Sequence, residues 1–206
     1  MTPHLESAEE WLYTLGSGYS LTKNLGAAYN RHMALLPEGA WGIFLDHDAS
    51  WTTPVWYRQI AEAVVARPDA GLFTAVANRI APRWQRAGNR DSHDMDVHEA
   101  IGRDRLRIRT LLDATGTKGI GGVVIVISKE AWRSVGGFVD GMRCVDHRMA
   151  FAQRDAGRKV YVIEGLYVYH RRRTSCDPKL LNEVPIAANC PCRGPEKDPT
   201  ERIALP

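Results

Sequence analysis

The run GGVVIVIS at residues 121–128 is the feature that most constrains the fold. Val123 to Ile127 are all β-branched, and a glycine pair and a serine bound them, so the segment predicts a strand buried on both faces. A strand covered on both faces demands helices above and below it, and the chain supplies them. WGIFL (41–45), GLFTAVA (71–77), KVYVI and GLYVYH predict further strands. Between them lie helical patterns at 20–36, where Ser20 is the expected N-cap and Pro37 and Gly39 the stop. Others open at Thr53-Pro54, at KEAWRSV and at CVDHRMAFAQRDAG, the last ending at Gly157. Strands alternating with helices predict an α/β layered fold in a single domain. Residues 78–118 break the pattern: an arginine-rich segment, read as a mobile charged insertion, runs into a predicted helix VHEAIGRDRLRIRTLL that closes near Gly116. Beyond Arg173 the chain turns rich in Pro, Cys and charge, predicting a domain over 1–173 and an extended tail over 174–206.

Composition narrows the classes. The 206 residues carry 27 basic and 24 acidic side chains, a formal net charge of +3 that by itself selects no polyanionic partner. Hydrophobic residues at 44% and charged residues at 25% exclude a disordered or fibrous chain. No apolar run approaches the ~18 residues of a membrane-spanning helix, and MTPHLESAEEW lacks the basic-then-apolar order of a signal peptide. Four cysteines, three of them in the tail, are too few for a disulfide scaffold. The expectation is a cytoplasmic protein without a membrane span.

Chemistry concentrates where strands end. WGIFL breaks abruptly into Asp46-His47-Asp48, at the kind of strand end where open α/β sheets present ligands. Two carboxylates at this spacing suit a hard divalent cation such as Mn²⁺ or Mg²⁺ together with the phosphates it carries. The plainer alternative is an exposed turn with a capping Asp48 or Ser50. Gly121, Gly122, Gly136 and Gly137 allow tight turns or close approach to a ligand, and Lys129, Glu130 and Trp132 lie on the short helix between the pairs. Asp146, near the start of an amphipathic helix, suits a general base if it faces the same cleft; otherwise it serves the helix dipole. His170 ends the last strand, just ahead of Arg171-Arg172-Arg173.

Taken in order, Asn24-x-Gly26-x-x-x-Asn30, Phe44-Leu45-Asp46-His47-Asp48, Gly136-Gly137-Phe138, Val145-Asp146, Asp155-Ala156-Gly157 and Tyr167-Val168-Tyr169-His170 resemble the GT-A glycosyltransferases, family 2 in particular. The resemblance covers about residues 20–173, with 78–118 unmatched. It implies a GT-A-like, Rossmann-like mixed sheet flanked by helices. It also implies metal-dependent transfer of a sugar from a nucleotide-sugar donor, UDP-sugars foremost, to an acceptor hydroxyl with inversion. By the same resemblance Asp48 binds the metal, Asp46 contacts the metal or donor, and His170 is a third metal ligand. Asn24 and Asn30 fall on the donor side. Gly121, Gly122, Trp132, Gly136, Gly137 and Phe138 fall on the acceptor side, and Asp146 is the base. The acceptor would be a glycan or a hydroxylated DNA base. The family's Glu-Asp pair reads Val145-Asp146 here, the arginine often found before the second asparagine is Tyr29, and a nucleobase-holding strand–helix–strand unit has no counterpart ahead of Ser20.

Two other readings compete. A haloacid-dehalogenase-like phosphatase would use Asp46 as nucleophile and Asp48 as acid/base, with Lys118 or Lys129 against the phosphate. An inactive binding module would instead use Cys176, Cys190 and Cys192, with His170 or Cys144, to hold a structural Zn²⁺ that clips the tail. His93, Asp94, Asp96 and His98 also have the composition of a ligand cluster, but their charge-rich surroundings predict solvation.

Overall fold

The computed structural model describes residues 24–171, 198–199 and 201–205. Chain order is α1 (Leu25–Leu35), β1 (Trp41–Leu45), β2 (Ala49–Trp51), α2 (Trp56–Ala66), β3 (Ala70–Ala77), α3 (Met95–Arg105), β4 (Thr110–Asp113), β5 (Val124–Ser128), α4 (Lys129–Ser134), α5 (Val145–Asp155), β6 (Lys159–His170) and β7 (Arg202–Ala204), with a 3-10 turn at Arg83–Gln85 before α3. The strands form one mixed sheet in the order β1-β5-β3-β6-β4-β7. The fold is therefore α/β, an open mixed sheet flanked by helices.

Strand directions decide where a site can form. β1 and β3 both run antiparallel to β5, and β6 runs parallel to β3. The carboxyl ends of β1, β3 and β6 thus lie along one end of the sheet, where β5 begins. β2 leaves β1 after a short turn and pairs antiparallel with the last residues of β6, Ala49 opposite His170 and Trp51 opposite Val168. The turn between β1 and β2 is the Asp46–Asp48 segment.

Two apolar layers sandwich the sheet. Tyr29 and Met33 of α1 and Val145, Met149 and Ala150 of α5 pack against Val76, Ile125, Ile127, Val160 and Val162. On the other face Trp56, Ile60 and Ala63 of α2 meet Phe73, Ala75, Val124, Val126 and Tyr161. Successive residues of β3, β5 and β6 alternate between these layers, which is why their sequences are apolar throughout.

Three elements differ from expectation. Leu111 and Leu112, read as the end of a long helix, form β4; they face opposite layers, Leu111 with α2 and Leu112 with α5, as alternate strand residues must. The helix stops at Arg105 because the chain must reach the free edge of β6, where Leu111 pairs with Ile163. KVYVI and GLYVYH are one strand, not two, with a register shift over residues 164–166 that absorbs Glu164-Gly165. A Cβ on Gly165 would run into the Ile108 carbonyl. The tail segment contributes β7, paired with β4. Ser20, the expected N-cap of the first helix, lies outside the described residues; Asn24 caps α1 through a bond from the Ala27 N–H.

Helix α1 is tied to the segment between α4 and α5 by its asparagines. Asn30 Oδ1 accepts from Trp132 Nε1 and from the Phe138 N–H, each at 2.8 Å, and its Nδ2 donates to the Phe138 carbonyl. Asn24 Oδ1 also accepts from the Gly141 N–H, and a Cβ on Gly26 would strike the Val139 carbonyl. Tyr29, Phe44 and Phe138 close the gap with ring centroids 4.2 to 5.8 Å apart. Asn30→Ala strands three half-buried polar groups and should cost about 2–4 kcal/mol in urea unfolding, while Asn30→Asp, which keeps the acceptor oxygen, should cost less. A loss below about 1 kcal/mol for the alanine variant would deny the asparagine this role.

Candidate functional site

At the carboxyl end of β1 the backbone turns sharply. The Asp46 N–H donates to the Val123 carbonyl at 3.0 Å, and the Ala49 N–H returns to the Asp46 carbonyl at 2.9 Å. The turn carries Asp48 to the end of β6, where the Arg171 N–H donates to the Asp48 carbonyl. The Asp48 side chain is 9% exposed and a strand follows it, so Asp48 is not a helix cap; Asp46 is half-buried and His47 alone of the three is exposed.

Among the described residues, Asp46, Asp48 and His170 are the one group of three or more His, Cys, Asp or Glu side chains whose ligand atoms converge, all within 4.8 Å of one another. His170 Nε2 lies 3.2 Å from Asp48 Oδ1 and 3.7 Å from Asp46 Oδ2. The other ring nitrogen, Nδ1, donates to the Arg79 carbonyl at 2.7 Å. That bond sets the tautomer in which Nε2 is available as a ligand, the arrangement metal-binding histidines commonly have behind them. The His170 N–H is held by Asn78 Oδ1 at 2.7 Å, and Asn78 is fully buried. Two carboxylates and one imidazole suit Mn²⁺ well and Mg²⁺ acceptably, since nitrogen is a poorer partner for the harder ion.

The charges of this cluster act on one another. Burial pushes the Asp46 carboxyl up to about 7; His170 opposes the rise, and the neighbouring charges of Asp48 and Asp146 add to it. For His170, burial favours the neutral ring, but the bond to Asp48 and the fields of Asp46 and Asp48 outweigh it and raise the imidazole above its ordinary value.

Asp146 sits in the first turn of α5, near enough for its charge to bear on Asp46. Its Oδ2 accepts from the Gly122 N–H and its Oδ1 from the His147 N–H, both at 2.8 Å. A Cβ on Gly122 would overlap the Asp146 side chain, so glycine there permits the approach. Gly121 is buried beneath Ile80, with its N–H and carbonyl both bonded to Gln85. Trp132, Gly137 and Phe138 meet Asn30, and Gly136 and Gly137 take positive φ in the turn after α4. The structure thus brings Asp46, Asp48, His170, Asp146 and Gly122 together, and gathers Asn24, Asn30, Trp132 and Phe138 into the α1 anchor.

The remaining candidates scatter. Lys129 Nζ donates to the Leu36 carbonyl and pairs with Glu38, at the end of β5 opposite Asp46, so it is not placed against a phosphate there. Cys176, Cys190 and Cys192 lie outside the described residues. Of the 93–98 cluster, His93, Asp94 and Asp96 are exposed as expected, with Asp94 capping α3, while His98 is buried between the Tyr167 hydroxyl and the Ser92 carbonyl. Asn78, Arg79 and Gln85 were not singled out from the sequence. Asn78 carries a legible signal all the same: like Asp46, it is the first polar residue after a buried strand.

No family model, curated protein or solved structure matches this chain. No helix among the described residues is long and apolar enough to cross a membrane.

The two raised groups share a sign. The folded protein holds these protons more tightly than the unfolded chain, so their stabilisation is complete at low pH. It is lost for Asp46 between its ordinary 3.8 and about 7, and for His170 as pH climbs above 6.5. His32, lowered by burial and by Arg31, runs the other way. Without metal, the melting temperature of the wild type should therefore fall relative to Asp46→Asn between about pH 4 and pH 7. Saturating Mn²⁺ should reverse that trend, because its ligands must shed their protons. Parallel curves for the two proteins without metal would contradict the burial of Asp46 in this charge cluster.

Proposed function

We propose that this protein is a metal-dependent glycosyltransferase that moves a sugar from a nucleotide-sugar donor to an acceptor hydroxyl with inversion at the anomeric carbon. The observation that carries this reading is the convergence of Asp46, Asp48 and His170 at the carboxyl end of the sheet, with Asp146 close enough to influence Asp46. The order of motifs along the sequence adds to it.

In this reading Asp48 and His170 would hold Mn²⁺ or Mg²⁺, and Asp46 would complete the set or contact the donor. The cation would offset negative charge on the departing diphosphate. Asp146 takes the proton of the acceptor hydroxyl as its oxygen bonds to the anomeric carbon and the bond to the diphosphate breaks. Backbone N–H groups at Gly122 and His147 hold the carboxylate's orientation. Each carboxylate oxygen keeps lone-pair capacity for that proton.

The test is thermal stabilisation by UDP, GDP, CMP, ADP and dTDP, with and without Mn²⁺. A nucleotide at a hundredfold excess over its Kd should stabilise the wild type by about 2.7 kcal/mol, only with Mn²⁺ present, and Asp48→Ala should abolish the effect. Absence of any Mn²⁺-dependent nucleotide shift would sink the reading. With the donor identified, Asp146→Asn should keep nucleotide binding and lower transfer by about a hundredfold or more, and NMR of the product should show an inverted anomeric centre. Retention of configuration would remove Asp146 from the role of base.

A further inference from the structure

We infer that Gln85 is a positioning residue that fixes Asp146 relative to the Asp46 end of the site, acting through the backbone of residues 121–123. Gln85 belongs to the short 3-10 turn inside the arginine-rich segment, yet it is fully buried. Its Oε1 accepts from the Gly121 N–H and its Nε2 donates to the Gly121 carbonyl, both at 2.8 Å, so one side-chain amide grips both polar groups of one residue. Nε2 also donates to the Ala75 carbonyl at 2.7 Å, and the Thr74 hydroxyl donates to the Gly121 carbonyl at 3.0 Å. Gly121 is thereby locked to β3 ahead of the first residue of β5. Glycine is required there because a Cβ would enter Ile80.

The next two residues hand this position on. The Gly122 N–H donates to Asp146 Oδ2, and the Val123 carbonyl accepts from the Asp46 N–H. A three-residue stretch of backbone therefore holds Asp146 by its side chain and Asp46 by its main chain. Gln85 is the only side chain among the described residues that bonds both the N–H and the carbonyl of Gly121. A buried glutamine that merely fills space would leave the Gly122–Asp146 bond indifferent to its removal. A positioning glutamine would not. The geometric content of this inference stands on these hydrogen bonds; its consequence for catalysis rests on the transferase reading above.

The test follows the Gly122 amide resonance in ¹H–¹⁵N spectra of the full chain. A bond to a carboxylate should hold the wild-type amide proton downfield, and Asp146→Asn should move it upfield. In Gln85→Met, nearly equal in length but without either polar group, the resonance should already lie upfield and respond little to adding Asp146→Asn. If Gln85→Met does not fold, Thr74→Val removes only the hydroxyl grip on Gly121 and should produce a smaller shift in the same direction. A folded Gln85→Met, or failing that a folded Thr74→Val, in which the Gly122 amide and its response to Asp146→Asn match the wild type would overturn the inference. Where the wild type transfers sugar, Gln85→Met should lower kcat by about a hundredfold with the donor KM little changed, as expected when a base is misplaced by about 1 Å. Equal kcat would likewise overturn the catalytic consequence. A wild type without transfer activity counts against the transferase reading alone, and the amide spectra still decide the role of Gln85.

Discussion

Asp46 and Asp48 place two carboxylates at a sheet end where little water reaches Asp48, and the charge has to be met locally. His170 meets it between them, with Nε2 toward both carboxylates and Nδ1 given to the Arg79 carbonyl. Much of the surrounding architecture can be understood as support for that contact. The long strand β6 must reach residue 170 before it ends, β2 must come back along it to bring Asp48 alongside, and Asn78 must stand at the end of β3 to take the His170 N–H. A charge cluster drawn partly out of water is a poor source of stability, because desolvation takes back much of what attraction supplies. What the cluster does provide is three side chains whose ligand atoms converge closely enough to hold a cation.

How much of this was legible depended on whether the signal was local. WGIFL ending in Asp-His-Asp announces a buried strand and a polar turn in eight consecutive residues, and the structure has both. GLYVYH ending in histidine is as clear. Leu111 and Leu112 were misread because two leucines after an amphipathic run extend a helical pattern as easily as they start a strand. What decides is the free edge of β6, a partner 50 residues away that no local window contains. The merging of the last two strands was hidden for the same reason: Glu164-Gly165 looks like a turn until β3 is paired along both halves and the mismatch becomes a bulge.

The asparagine motif teaches something different. Asn24 and Asn30 lie in a pattern that the resemblance associates with the donor, yet each side-chain oxygen already takes two N–H groups of the fold. Spacing of two asparagines around a glycine on one helix is what is needed to press that helix onto a loop, with glycine where the loop carbonyl comes closest. A motif can be carried by packing and still lie close to a site, because Phe138 meets Phe44 edge-on, two residues before Asp46. Sequence alone does not separate a residue that touches a ligand from one that holds the strand beside it.

Gln85 shows the limit from the other side. Nothing in Pro82-Arg83-Trp84-Gln85-Arg86 distinguishes the glutamine from its charged neighbours, and a segment this rich in arginine invites reading as solvated surface. Its role appears only when β3, the 121–123 backbone and the turn are assembled, since a side-chain amide carries both a donor and an acceptor and can satisfy the carbonyl and the N–H of the same residue. The glycine pair at 121–122, by contrast, was visible and its reason was not. Each glycine is small so that something may come close, and what comes close is the protein itself: Ile80 on one side and Asp146 on the other. The metal-side aspartate and the proposed base thus depend on one short stretch of backbone. Gly122 takes the Asp146 side chain and Val123 the Asp46 main chain, so adjacent residues of one strand start hold both acids.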